Sequence, residues 1–158
     1  MFGRAYQSIV GIIFLTSGWS MAQMQIEKRP CHGWENCYFL SNGKIEMLAT
    51  SDVGPRIVHL GLAREKNLFR VFEDQTGRTG GDQWRIYGGH RLWHSPEDRM
   101  RTYEPDNAPV AAEVLPDGIL LRQSVEPRTG IEKSVEIRLA ADAPSARVIH
   151  RLRNRGTW

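Results

Sequence analysis

Hydrophobic and polar residues alternate along most of this chain with a period near two, the mark of strands that bury one face. The clearest instance is 131–139. There Ile131, Lys133, Val135, Ile137 and Leu139 fall on one face and Glu132, Ser134, Glu136 and Arg138 on the other, with Lys133 the one polar intruder. Residues 37–40 predict a short strand, Asn42-Gly43 a two-residue hairpin turn, and 44–50 the returning strand. Asp52-Val53-Gly54-Pro55 breaks the chain, and 56–60 and 67–72 predict two further strands. Pro116-Asp117-Gly118 predicts a tight turn between strands at 111–115 and 119–124, and 146–152 turns back as the partner of 131–139. No helical period longer than two turns survives the Gly and Pro punctuation. The expected fold is all-β, an antiparallel β-sandwich in which hairpins bury one face against a second sheet.

Between these β regions, 75–107 has another character: Gly, Arg, Asp, Trp and His replace aliphatic residues. A stretch of roughly thirty residues without regular structure is uncommon in a compact domain and is usually functional or disordered. Trp84, Tyr87, Trp93 and Tyr103, with His90 and His94, argue against disorder. An ordered loop that builds a site is expected. The whole chain has 158 residues, 25% charged and 41% hydrophobic, which fits one globular domain and excludes a low-complexity or collagen-like chain. Of its 21 basic residues seventeen are Arg, but they are spread over the whole length and the net charge is only +3. That is not the basic stripe of a nucleic-acid binder.

The chemistry-bearing residues crowd into 79–98. Trp84, Tyr87 and Trp93 offer flat apolar faces of the kind that stack on the C–H side of a sugar ring. Asp82, Arg85, Arg91 and Glu97 can hydrogen-bond vicinal hydroxyls in bidentate fashion. His90 and His94 titrate near neutrality and are candidates for general acid and base. Two glycine pairs, Gly80-Gly81 and Gly88-Gly89, let backbone approach a ligand or take positive φ. A polar ligand, a carbohydrate foremost, fits this composition; so does a structural loop laced by Arg–carboxylate pairs. A metal fits poorly: on a strand His90 and His94 would stand about 13 Å apart, and Gly88-Gly89 and Pro96 spoil a helix there. Neither a Ser-centred elbow nor a phosphate-binding glycine fingerprint is present. No cofactor is expected.

At the N-terminus Arg4, the apolar run 9–15 and Ser20-Met21-Ala22 follow the order of a secretory signal, predicting removal of 1–22 and a secreted or periplasmic protein with no membrane segment left after cleavage. Cys31 and Cys37 could form a small-loop disulfide in that compartment, or both could stay unpaired. Eight or nine strands are few for a closed two-sheet structure with so long an insert, and the chain stops at Trp158 just after a strand, so a fragment is expected. The oligomeric state is left open.

The stretches Gly33-Trp34-Glu35-Asn36-Cys37, Leu40-Ser41-Asn42-Gly43, Asp52-Val53-Gly54-Pro55-Arg56-Ile57 and Asn67-Leu68-Phe69, and above all the block TGGDQWRIYGGHRLWHSPED followed by TYEPDN, resemble an uncharacterised bacterial family related to aldose 1-epimerases, the galactose mutarotase-like proteins. The resemblance runs from Gly33 to Trp158. It implies the mutarotase-like supersandwich, of which residues 23–158 would be the N-terminal part, and a carbohydrate site needing neither metal nor nucleotide. It implies proton transfer by His90 and His94, and positioning of the sugar by Arg56, Arg91 and Trp93. In such enzymes a base takes the anomeric hydroxyl proton while an acid protonates the ring oxygen. Their base is a Glu further downstream than this chain reaches, and their Asn-Gly-x-His motif has only a loose counterpart in Gly89-His90-Arg91. A non-catalytic carbohydrate-recognition module, or a structural β-sandwich that binds another protein, is the alternative.

Overall fold

The computed structural model describes residues 24–156. The signal-sequence reading of 1–22 and the terminal Trp158 lie outside the described residues. Among the described residues there are nine strands and no helix: β1 (Gln25–Cys31), β2 (Trp34–Ser41), β3 (Ile45–Thr50), β4 (Arg56–Leu62), β5 (His90–Arg91), β6 (Ala111–Leu115), β7 (Gly118–Arg122), β8 (Ile131–Leu139) and β9 (Ala146–Asn154). They form two antiparallel meanders in sequence order, β1 to β5 in one sheet and β6 to β9 in the other.

The two sheets share one core, giving a sandwich-like arrangement. Leu40, Ile45, Met47, Ala49 and Ile57 from the first sheet pack with Ile119, Leu121, Val135, Ile137 and Leu139 from the second. Each fully buried aliphatic side chain of this kind contributes roughly 1.5–3 kcal/mol. Asn42 stitches the sheets at one end. Its amide donates to the carbonyls of Ala140 (2.7 Å) and Ala143 (2.9 Å) in the β8–β9 turn, and its Oδ1 accepts from the backbone of Lys44 and Ile45. Lys133 keeps the strand's alternation and points inward, where its ammonium pairs with the buried Glu126 carboxylate. The polar intruder is thus satisfied rather than displaced.

Two elements differ from the sequence reading. β1, which the pattern did not predict, is an edge strand with most side chains in solvent, so it shows no apolar alternation. Residues 67–72, expected as a strand, contribute only an isolated bridge, Val71 to Gly88. Asn67 is the reason: its side chain accepts from the backbone of Leu60 (3.1 Å) and Phe69 (3.0 Å) and donates to the carbonyl of Val58 (2.8 Å). Local side-chain bonds of this kind replace a ladder.

While His90 and Leu92 face the core between the sheets, much of the segment 75–107 packs on the outer face of the first sheet. A second apolar cluster, Trp34, Cys37, Val53, Val58 and Tyr87, lies there. Trp34 meets the Tyr87 ring edge-on at 5.5 Å and donates from Nε1 to the carbonyl of Arg78 (3.0 Å). Cys31 and Cys37 are joined by a disulfide at the margin of this cluster.

Candidate functional site

Strand register decides which side chains of the insert meet. Arg56 is opposite Arg91 and Ile57 opposite His90. Cross-strand partners share a face and neighbours in sequence do not. Ile57 belongs to the core between the sheets, so His90 points inward, while Arg56 and Arg91 point outward under the insert.

On the outer face one carboxylate organises the loop. Asp106 Oδ2 accepts from Arg56 Nη2 (2.8 Å) and Arg91 Nε (3.1 Å), with all three side chains nearly buried. Arg56 Nη1 also donates to the carbonyls of Gly88 (2.7 Å) and Ile86 (3.0 Å). Beside Asp106, Asn107 accepts from the Tyr87 hydroxyl (2.9 Å) and donates to the carbonyls of Gln83 (2.7 Å) and Gly81 (3.2 Å). Buried charges are tolerated only when paired and bonded in this way. Gly88 and Gly89 (φ 91° and 71°) serve the same packing: a Cβ on them would run into the backbone of Arg70 and of Ile57. Their close approach is to the protein's own backbone.

Above this base stands an aromatic cluster. Trp93 and Trp84 each meet the Tyr103 ring edge-on, at 5.3 and 5.2 Å, and lie 6.1 Å from each other. The Arg91 guanidinium sits 4.6 Å from the Trp93 ring centroid and 5.6 Å from that of Trp84. Cation–π contact of this kind steadies a ring without covering it: Trp93 remains 41% exposed. Trp93 borders an open hollow of about 440 Å³ whose other walls are His94, Ser95, Glu97 and Thr102. Glu97 also borders an adjoining hollow of about 650 Å³, with Asp98, Arg99 and Tyr103.

His94 Nε2 lies 3.0 Å from the carbonyl of Arg101. A carbonyl only accepts, so Nε2 carries the proton and Nδ1 is left as the basic nitrogen. The Tyr103 hydroxyl donates to Glu97, and that bond, followed by burial and the carboxylate's charge, raises the phenol pKa above its ordinary value.

Trp84, Arg91, Trp93, His94 and Glu97 are therefore brought together. His90 is not among them. It lies across the sandwich, its Nε2 3.1 Å from Nε2 of His150, with the two rings nearly parallel. Burial, then the neighbouring His150 and the Arg56 charge, lower its pKa. Arg56 lies beneath the insert, committed to Asp106 and backbone carbonyls. Arg85 bonds the carbonyl of Gly80 (2.7 Å) and the Tyr87 hydroxyl (3.1 Å), and Asp82 is exposed on the same glycine turn. Sequence reasoning did not assign roles to Tyr103, Thr102, Asp106 or His150. Tyr103 was legible as one more aromatic in the insert; nothing local marks the others. Among the described residues no group of three or more His, Cys, Asp or Glu gathers around a point.

No protein family, curated protein or solved structure matches this chain.

Proposed function

We propose that this protein is an exported carbohydrate-binding protein whose sugar site is the hollow beside Trp93. The observation that carries the reading is the exposed indole of Trp93, fixed by Tyr103, Trp84 and Arg91 at the mouth of a hollow with polar walls. A pyranose presents C–H groups on one face and hydroxyls at its rim. The indole meets the first, while Glu97, His94 and Ser95 offer acceptors and donors to the second. Because the ring is already ordered, little conformational entropy is lost on binding. The two sequential antiparallel sheets are compatible with the N-terminal part of a mutarotase-like supersandwich, and the Cys31–Cys37 disulfide is in keeping with export.

A second reading is mutarotase activity, in a form of the protein that contains the rest of the sandwich. It is favoured by an imidazole and a carboxylate lining one hollow. Glu97 would take the anomeric hydroxyl proton as the bond from C1 to the ring oxygen breaks, and His94 protonated at Nδ1 would give its proton to that oxygen. Rotation of the open-chain aldehyde and the reverse transfers return the other anomer.

Calorimetric titration against neutral hexoses, pentoses and uronic acids tests the first reading. At least one class binds saturably, and Trp93→Ala weakens it tenfold or more, about 1.4 kcal/mol. Absence of binding across the panel by the native protein overturns it. Anomer exchange followed by NMR tests the second, with acceleration lost in His94→Ala and retained in His90→Ala.

A further inference from the structure

The hollow beside Trp93 has a neighbour of its own kind. Glu97 walls both it and the adjoining hollow, so the two open side by side along 93–103. Each has its own aromatic ring, Trp93 in the first and Tyr103 in the second. The two ring centroids are 5.3 Å apart, a spacing comparable to the length of one pyranose, and the ring planes stand at 89°. Each hollow also has its own polar groups, His94 and Ser95 in the first and Asp98 and Arg99 in the second. Volumes of about 440 and 650 Å³ both lie within the roughly 300–1,000 Å³ of small-ligand sites. A single pyranose, smaller than a drug-sized ligand, fills one hollow and leaves the other to solvent.

We propose that the two hollows are consecutive subsites, and that the ligand is an oligosaccharide of at least two joined rings. The assignment rests on the sugar reading of the Trp93 hollow and names the class of sugar. One ring lies on the Trp93 indole, and the next passes Glu97 and enters beside Tyr103. Glu97 stands at the junction. It already accepts the Tyr103 hydroxyl, and an ionised carboxylate has about four lone-pair sites. It can therefore also accept hydroxyls from the rings on either side of a glycosidic bond. Asp98 is tied to Arg101 at 3.7 Å and to the backbone of Met100 at 2.9 Å. That leaves the exposed Arg99 as the donor to the second ring, its guanidinium forked across a vicinal pair of hydroxyls. Seating the first ring presents the second at high effective concentration, so modest contacts in the second hollow still raise affinity.

The probes are glucose, xylose, galactose and galacturonic acid, each set against its own disaccharide and its own phenyl glycoside. They are titrated into the full chain and followed by NMR amide shifts. In a series that binds, the disaccharide binds at least tenfold more tightly than the monosaccharide. Offering two rings to a single site gains only about twofold by statistics. Shift changes at 93–95 are expected with both ligands, and at 98, 99 and 103 with the disaccharide alone. Arg99→Ala brings the ratio of disaccharide to monosaccharide affinity down toward the statistical value. Because the ratio is taken within one variant, a general loss of folding does not mimic this. An unchanged ratio in Arg99→Ala, or a ratio of twofold or less in the native protein, overturns the proposal while the single-ring reading stands. So does an equal gain from the phenyl glycoside, which assigns the second hollow to an apolar aglycone. Absence of binding by every sugar overturns both.

Discussion

Replacing Asp106 by Asn tests whether one buried carboxylate holds the insert on its sheet. The substitution preserves size and one acceptor but removes the charge shared by Arg56 and Arg91, whose side chains are 1% and 6% exposed. Two guanidinium groups then face each other without a counter-ion, and burial, together with the charge of Arg91, already disfavours the charged form of Arg56. Removing one partner of a buried ion pair costs about 3–5 kcal/mol, against total stabilities of roughly 5–15 kcal/mol. With a urea slope of about 2 kcal/mol/M, the unfolding midpoint falls by roughly 2 M. Urea unfolding followed in parallel by tryptophan fluorescence and far-ultraviolet circular dichroism measures this. The exposed neighbour Asp82 supplies the control, and Asp82→Asn shifts stability by less than about 0.5 kcal/mol. A loss below 1 kcal/mol in Asp106→Asn refutes the reasoning, because the arginines would then have to be solvated rather than dependent on this anion.

Lys133→Met leaves Glu126 buried without its cation and costs about 3–5 kcal/mol, whereas Lys133→Met with Glu126→Gln recovers most of that loss; a double variant no better than the single one contradicts this. Reducing the Cys31–Cys37 bridge reopens a loop of about seven residues and lowers stability by about 2 kcal/mol, visible as a lower thermal midpoint in dithiothreitol. His90 is held below its ordinary pKa by burial, by His150 and by Arg56. The unfolded chain therefore binds this proton first as pH falls, so stability is full above about 6.5 and declines as pH drops through the folded-state value. His90→Gln flattens the dependence of unfolding free energy on pH between 7.5 and 5; a slope unchanged from that of the native protein rejects this assignment.

The strands that face the core were legible because burial on one face imposes alternation, as in 131–139. The Asn42-Gly43 turn was legible because only certain residues accept its geometry. β1 left no such trace, since an edge strand in solvent constrains its side chains little. The apolar residues of 67–72 predict a strand, but the three bonds made by Asn67 rule out a ladder, and a competing local bond is not visible in a hydrophobicity pattern. The aromatic and charged content of the insert located the Trp93 hollow. His90 stands apart from that hollow for a reason of register: one residue's step along β5 turns a side chain from the outer face to the inner. Which residue of a two-residue strand faces outward depends on Ile57 and Arg56, more than thirty positions earlier, and on no local feature of the insert.

Arg56, Asp106 and Asn107 fasten the long loop from below, and Ser95 and Arg99 take no part in that fastening. Ser95 and Arg99 can therefore be exchanged while the platform under them stays constant. Evolution, or a combinatorial library, can vary the chemistry of the hollow at those two places without renegotiating how the chain folds.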